Sequence, residues 1–125
     1  MKLTFCAPER AGDSGFVEGA PGEALLASAR DIDRVLEACF AESAGAVLLH
    51  AANLPPAFFD LSSGEAGAIL QKLRNYRIRL AVVCGPGEVA FSRRFQELLA
   101  ESQRGQDFRV VETRQAAVSW LSGKS

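Results

Sequence analysis

Two short, nearly continuous apolar runs restrict the fold of this 125-residue chain more than any other feature. The run from Ala46 to Leu49 reads AVLL, and the run from Ile78 to Cys84 reads IRLAVVC and is closed by the turn Gly85-Pro86-Gly87. Short apolar runs bounded by turn residues are typical of strands that are buried on both faces, as in the centre of a parallel sheet. The sequence therefore predicts an α/β fold with helices covering a sheet.

Segments with helical periodicity alternate with these runs. An apolar stripe predicts the first helix from Asp31 to Glu42, with Ser28 and Asp31 as a capping pattern. The second helix is predicted to begin near Ser62, with Glu65 completing a capping box, and to end at Asn75 in a left-handed conformation. Its Gly67 is expected to allow close approach to the sheet. The connection 50–63, which leads from the apolar run at Ala46 to Leu49 to this second helix, carries two adjacent prolines, which exclude regular structure there.

The remaining elements complete one domain over residues 1–125. A third helix is marked by apolar residues from Phe91 to Leu99 and ends by Gly105; a strand follows at Phe108 to Val111. Thr113 is predicted to cap a last helix. Residues 1–30 hold a strand at Leu3 to Cys6, its hairpin partner at 16–18, and a loop. The predicted order is ββαβαβαβα, a single layered domain with a mostly parallel sheet and flanking helices.

Composition limits the classes of function. The net charge of −1 makes nucleic acid an unlikely partner, although residues 1–71 hold four Lys and Arg against ten Asp and Glu, and residues 72–125 hold ten against five. No apolar stretch is long enough to span a bilayer and the N-terminus carries no export signal, so we expect a cytoplasmic protein without a membrane partner. The three cysteines, Cys6, Cys39 and Cys84, are expected to be buried, reduced thiols.

Polar residues follow two of the predicted strands at their carboxyl ends, where open parallel sheets bind ligands. The candidate binding surface consists of His50, Asn53, Phe58, Phe59, Asp60, Cys84 and Gly85. A His50–Cys84 nucleophile pair is conceivable, but a histidine bonded to a loop carbonyl is the more frequent role. These two residues are too few for zinc, and the sequence implies neither a metal nor another cofactor. Gly85 lies in a turn that could hold an anion through its backbone amides or simply reverse the chain.

Several longer segments resemble the bacterial domain of unknown function 4180. They are Ala51 to Leu61 (AANLPPAFFDL), Gly64 to Lys72 (GEAGAILQK), Asn75 to Ala81 (NYRIRLA) and Glu101 to Gly105 (ESQRG). The similarity extends from Asp31 to Leu121, and the stretch before Asp31 matches poorly. This resemblance implies no particular activity.

The element order is also similar to that of STAS domains, the regulatory modules of anti-sigma-factor antagonists and sulfate-transporter tails. Those domains carry a phosphoacceptor serine in an Asp-Ser-(Ser/Ala)-Gly turn before their second helix. Asp60-Leu61-Ser62-Ser63-Gly64 lies at the equivalent place with one residue more. The resemblance implies Ser63, with Ser62 beside it, as a possible phosphoacceptor; both residues alternatively serve only to cap the helix.

Three functions are compatible with these features. The first is a non-enzymatic regulatory or protein-interaction module with a STAS-like fold, bound to a protein partner through the 50–64 loop and able to form a homodimer. The second is a small-molecule or anion binding domain at the carboxyl ends of the strands. The third, ranked last, is an enzyme built on His50, Cys84 and Asp60. If Phe58 and Phe59 both pack onto the sheet, the loop is a lid over the core; if one is exposed, it is an anchor for a partner.

Overall fold

The apolar runs form the central strands of a five-stranded sheet. A computed structural model describes residues 3–6, 15–27, 29–60, 64–85, 87, 89, 91–102 and 107–121. The strands are β1 (Leu3–Cys6), β2 (Phe16–Gly19), β3 (Ala46–His50), β4 (Arg79–Val83) and β5 (Phe108–Val111). The helices are α1 (Ile32–Ala41), α2 (Glu65–Asn75), α3 (Arg93–Ser102) and α4 (Arg114–Leu121). This confirms the α/β class and the predicted order of elements.

The strands lie in the order β1-β2-β3-β4-β5, the same as their order along the chain. β1 and β2 form an antiparallel hairpin in which Leu3 pairs with Gly19, and each later strand is parallel to the one before it. Leu48 of β3 pairs with Ala81 of β4, and both are fully buried. The two apolar runs are therefore neighbours at the centre of the sheet, as their composition predicts.

The helices divide unequally between the two faces. Side chains of α1, α2 and α3 share one large core with alternate residues of the central strands, such as Val47, Leu49 and Leu80. The other residues of those strands, such as Leu48 and Ala81, pack with α4 in a smaller core. Because each parallel strand is added on the same side of the previous one, right-handed crossovers place all three connecting helices on one face. Of the helices in the described residues, only α4, after the last strand, covers the opposite face.

The 50–60 connection is more regular than its prolines suggest. Ala51–Asn53 and Pro56–Phe59 each form a 3-10 turn, so the expectation of wholly irregular structure is wrong for these residues. Proline is tolerated here because Pro56 is the first residue of its turn, where its missing N–H leaves no bond unmade. Residues 61–63, which include the predicted cap Ser62, lie outside the described residues, as does Ser28 before α1.

Three local predictions about the helices need correction. Asn75 is the last residue of α2, but the left-handed conformation is adopted by Arg77, with φ 56°. Gly67 makes no close approach, since a Cβ at this position would have no neighbouring atom within 4 Å. α3 begins at Arg93, after Ser92, whose hydroxyl accepts a hydrogen bond of 3.1 Å from the backbone N–H of Phe95. The prediction that Thr113 caps α4 is confirmed by a 3.1 Å bond from the Ala116 N–H.

Candidate functional site

The carboxyl ends of the parallel strands do not form a single crevice. Such a crevice arises where neighbouring connections leave for opposite faces of a sheet, whereas here the three crossovers share one face. His50 is paired with Val83, whose side chain belongs to the α4 face, while Cys84 packs in the core of the opposite face. The structure therefore does not bring His50 and Cys84 together as a nucleophile and base.

A cavity of about 200 Å³ lies between β5 and the connection from β4 to α3. Its walls include two residues of the predicted surface, Cys84 and Gly85. Other described residues of its lining are Gly87, Val89, Phe91, Leu99 and the four consecutive residues Arg109 to Glu112. Phe91 stacks on Phe59 with their ring centroids 5.7 Å apart, so the cavity adjoins the aromatic part of the core.

The residues of β5 that line the cavity indicate where the cavity lies relative to this strand. Successive side chains of a strand point to opposite faces of the sheet, so a cavity over one face would be lined by alternate residues only. Here Arg109, Val110, Val111 and Glu112 all contribute. Arg109 and Val111 point to the opposite face from Val110, so the cavity reaches the edge of this strand, and Cys84 and Gly85 place it at the carboxyl ends of β4 and β5 as well. β5 is the last strand in the sheet order, and no described strand pairs with its outer side.

A polar cluster occupies the opposite face, where β1, β2, β3 and α4 meet. The carboxylate of Glu18 accepts hydrogen bonds from Nε and Nη of Arg114, the shortest of them 2.8 Å, and one from Nε2 of His50 at 2.9 Å. The thiol of Cys6 lies 3.7 Å from the same carboxylate. The side chains of Glu18 and His50 are 12% and 14% exposed. Cys6 is only half-buried, so the expectation of a buried thiol is wrong for this cysteine, whereas Cys39 and Cys84 are buried.

Electrostatics make this cluster a poor source of a nucleophile. The hydrogen bonds from Arg114 hold the pKa of Glu18 below its usual value; partial burial opposes this shift and the bond from His50 reinforces it. Partial burial and then the neighbouring Glu18 charge raise the pKa of the Cys6 thiol. Burial also raises the pKa of Cys39, to about 11. An ionised Glu18 that accepts hydrogen bonds from Arg114 and His50 is suited to fastening α4 onto β2.

Asn53, predicted as part of the binding surface, is fully buried and holds the chain together. Its Nδ2 donates to the carbonyl oxygens of Ala20 and Glu23, at 2.7 and 2.8 Å, and its Oδ1 accepts from the His50 N–H at 2.6 Å. Its own carbonyl oxygen accepts from the Leu26 N–H at 2.8 Å. Every polar atom of the side chain is therefore used within the fold, and the residue cannot also hold a ligand.

The two phenylalanines of the loop form part of the core. Phe58 and Phe59 are 0% and 2% exposed, and their rings meet each other and Phe95 at centroid distances between 5.3 and 5.6 Å. The first of the two alternatives thus holds, and residues 51–59 are a lid over the core. Neither ring can serve as an exposed anchor. Asp60 is exposed just after them, while Ser62 and Ser63 lie outside the described residues.

Neither a metal site nor a membrane-spanning helix is found in the described part of the chain. No group of three or more His, Cys, Asp or Glu side chains there is arranged to hold a metal ion. None of the helices in that part is both long and apolar enough to cross a bilayer.

Sequence reasoning missed most of the residues that the structure brings together. Glu18 and Arg114 are 96 positions apart, and no motif links them. Leu99 and Val110 were recognised as apolar, yet their place beside an open strand edge depends on the order of strands in the sheet. A usable signal was the last predicted strand, since the final strand of consecutive right-handed crossovers lies at an edge.

Comparison with known proteins identifies the family. Residues 13–121 match the profile of the family described as Domain of unknown function (DUF4180), and the chain belongs to this family. The match begins earlier than the predicted Asp31 and includes β2. Neither the search of curated proteins nor the search of solved structures gave a match.

Proposed function

We propose that this chain is a non-enzymatic regulatory module that binds a protein partner, with a fold of the STAS type. The observation that carries the proposal is the cavity along the outer edge of β5, which is lined by Val89, Phe91, Leu99 and Val110. Apolar side chains beside an unpaired strand edge form a surface suited to another polypeptide. The element order ββαβαβαβα, with an antiparallel hairpin first, supports the STAS-like assignment.

The arrangement of reactive side chains favours binding over catalysis. His50 bonds to Glu18, and the Cys84 thiol lies 3.8 Å from the Gly85 carbonyl oxygen on the other side of the sheet. Asp60 is exposed beyond the buried aromatic pair. An enzyme built on His50, Cys84 and Asp60 needs a nucleophile within hydrogen-bond reach of its base.

Regulation by phosphorylation is proposed for the turn 60–64. Gly64 is the N-cap of α2 and has φ 82°, and Ser62 and Ser63 are the two residues that precede it in the sequence. A phosphate there would be stabilised by the helix N-terminus and would add negative charge to that surface. Ser63→Asp should then change the affinity for the partner at least threefold, whereas Ser63→Ala should leave the affinity of the unphosphorylated protein unchanged.

A direct test uses the cavity itself. The purified chain is immobilised, exposed to lysate from the native cell, and compared with Leu99→Trp, which fills the cavity. Proteins that the wild type retains and the variant does not are identified by mass spectrometry, purified, and titrated against both. A one-to-one complex weakened at least tenfold by Leu99→Trp is expected. If the immobilised wild type and Leu99→Trp retain the same proteins, the cavity takes no part in the interaction.

The same cavity supports a second candidate function, the binding of a small molecule. An apolar cavity of about 150 Å³ holds a molecule the size of benzene, and the one here is larger, with Cys84 and Gly85 among its lining residues. Indole and benzene serve as probes. Ligand-observed NMR with wild type and Leu99→Trp would show a signal that depends on the open cavity, and a signal equal in both would exclude binding there.

A further inference from the structure

The backbone of β5 directs half of its hydrogen-bonding groups away from the sheet. The carbonyl oxygens of Asp107 and Val111 accept bonds of 2.8 Å from the N–H groups of Leu80 and Cys84. In a parallel ladder the residues that bond to one neighbour alternate with residues that face the other side. Phe108 and Val110 therefore point their N–H and C=O groups toward the outer edge, at a spacing of about 6.6 Å.

The cavity lies on the face of the sheet that α1, α2 and α3 cover. Val110 packs with the larger core, together with Phe91, Leu98 and Leu99, so its side chain faces the helices α1 to α3. A strand added beside β5 would place the residue opposite Val110 on the same face, because paired residues in a sheet share a face. That residue would enter the cavity, whose volume of about 200 Å³ accommodates one leucine- or phenylalanine-sized side chain.

The side chains on the other face of β5 determine which charge is favoured at the neighbouring positions of an added strand. Arg109 and Arg79 both stand against the ring of Trp120, with guanidinium carbons 5.4 and 4.4 Å from its centroid. Asp107, the acidic side chain at the start of the strand, pairs with Arg74 at 3.7 Å. A residue of an added strand that is adjacent to the buried apolar one would lie opposite Arg109, where a carboxylate is favoured. Arg79 belongs to β4 and is separated from an added strand by β5.

From these relationships we propose that the edge of β5 binds an extended peptide segment of a partner protein, which joins the sheet as a sixth strand. One apolar side chain of the segment fills the cavity, and an acidic residue adjacent to it in sequence faces Arg109. The proposal rests on the proposed binding function and specifies its mode. Backbone hydrogen bonds to Phe108 and Val110 supply affinity, and the cavity supplies specificity.

Other occupants fit these observations less well. A small molecule could fill the cavity but would leave the outward backbone groups of Phe108 and Val110 without partners along the strand. A second copy joined edge to edge around a two-fold axis would bring two α3 helices, and two copies of the connection at Val89 and Phe91, to the same face of the joined sheet. A single extended segment brings no second helix or connection to that face of the sheet.

The test separates the strand edge from the cavity with two substitutions. Val110→Pro removes an outward N–H without removing a bond to β4, and Val110→Ala is its matched control. Leu99→Trp fills the cavity, and Leu99→Ala is its control. A phage-displayed library of random nine-residue peptides is panned on the wild-type chain. Selected peptides are titrated against all four variants, and each variant is first checked for folding by its melting curve.

We expect the selected peptides to share an apolar residue next to an acidic one. Val110→Pro should weaken binding at least tenfold relative to Val110→Ala, and Leu99→Trp at least tenfold relative to Leu99→Ala, because each alanine variant keeps the backbone N–H and leaves the cavity open. Absence of enrichment, or equal affinity for Val110→Pro and Val110→Ala, would overturn the strand-addition mode. If a purified protein partner binds and is indifferent to both substitutions, the binding function stands and this mode fails. If sedimentation shows a dimer that Val110→Pro dissociates, the occupant is a second copy and the peptide proposal is wrong.

Discussion

Glu18 and Arg114 join the second strand to the last helix through three hydrogen bonds between 2.8 and 3.1 Å. Arg114 is the first residue of α4, and the Glu18 carboxylate lies on the side of the sheet against which α4 packs. A planar guanidinium bonded through two of its nitrogens to one carboxylate fixes orientation as well as distance. The pair therefore determines where the N-terminus of α4 sits on the sheet.

The first prediction concerns the pH dependence of this contact. Arg114, and to a lesser degree His50, keep the pKa of Glu18 in the folded protein below its usual value, and Cys6 is the remaining titratable neighbour. A carboxyl with a lowered folded pKa contributes stability above its unfolded pKa, about 4.3, and loses it as the pH falls through the folded pKa. Glu18→Gln should cost about 1–2 kcal/mol at pH 7.

Urea denaturation at several pH values checks this prediction. The difference in unfolding free energy between wild type and Glu18→Gln should shrink as the pH is lowered from 5 toward 3, because the wild-type carboxyl then becomes protonated. Glu97→Gln, at an exposed position of α3, is the matched control and should have little effect at any pH. A difference for Glu18→Gln that stays constant with pH would show that the ion pair contributes nothing to stability.

The second prediction concerns the buried amide of Asn53. Asn53→Ala would leave the carbonyl oxygens of Ala20 and Glu23 and the N–H of His50 without this partner, at a cost of about 2–4 kcal/mol. Asn53→Asp should cost at least as much although its size is nearly the same, because its carboxylate would face two carbonyl oxygens. Asn75→Ala, at an exposed position, is the control. Thermal melts of the three variants give the comparison, and a mild effect of Asn53→Asp would contradict the assigned amide orientation.

The sequence allowed the architecture to be predicted because burial leaves a strong local pattern. Val47, Leu48 and Leu49 are buried, and a short run that is apolar on both faces is typical of a central strand. Local patterns failed at Arg77, which adopts φ 56° although Asn75 is the better left-handed residue, since the turn into β4 is set by packing. The burial of Phe58 and Phe59 was ambiguous for the same reason, because the sequence of a loop does not show whether its side chains pack against the core.

The candidate site was less predictable than the fold. His50, Cys84 and Gly85 were identified from their place after strands, but their faces depend on the register, which assigns His50 and Cys84 to opposite sides. Asn53 was selected as a polar surface residue, whereas its amide satisfies backbone groups of a segment 30 positions away. Such long-range pairings leave no trace in the periodicity of one sequence.

The third prediction concerns the central core. Leu48 and Leu70 were both predicted to be buried, together with Leu80, Val82 and Val110; the structure confirms all but Val110, which is half-buried at the sheet edge. Leu48→Ala should cost about 3–5 kcal/mol, and Leu70→Ala about 2–3 kcal/mol because that side chain remains 8% exposed. Urea denaturation provides the measurement, with Leu25→Ala in the half-buried loop as a control. A change below about 0.5 kcal/mol at both core sites would contradict the placement.

The last prediction uses Trp120, the single tryptophan of the chain, as a probe of the contact between α4 and the sheet. The guanidinium of Arg79 donates to the carbonyl oxygens of Trp120 and Leu121 at 3.0 and 3.2 Å, and its carbon lies 4.4 Å from the centroid of the Trp120 ring. Arg79 thus caps the C-terminal end of α4 and covers the ring at once, which favours a cation at both places.

Replacing Arg79 with lysine keeps the charge but removes the planar group that reaches two carbonyl oxygens and stacks on the ring. We expect Arg79→Lys to lower the unfolding free energy by about 1–2 kcal/mol and to make Trp120, now 5% exposed, more accessible to acrylamide quenching in the folded state. Arg109→Lys is the matched control, because its guanidinium carbon lies farther from the ring, at 5.4 Å. If both lysine variants quench alike and as little as the wild type, Arg79 does not hold the end of α4 against the sheet.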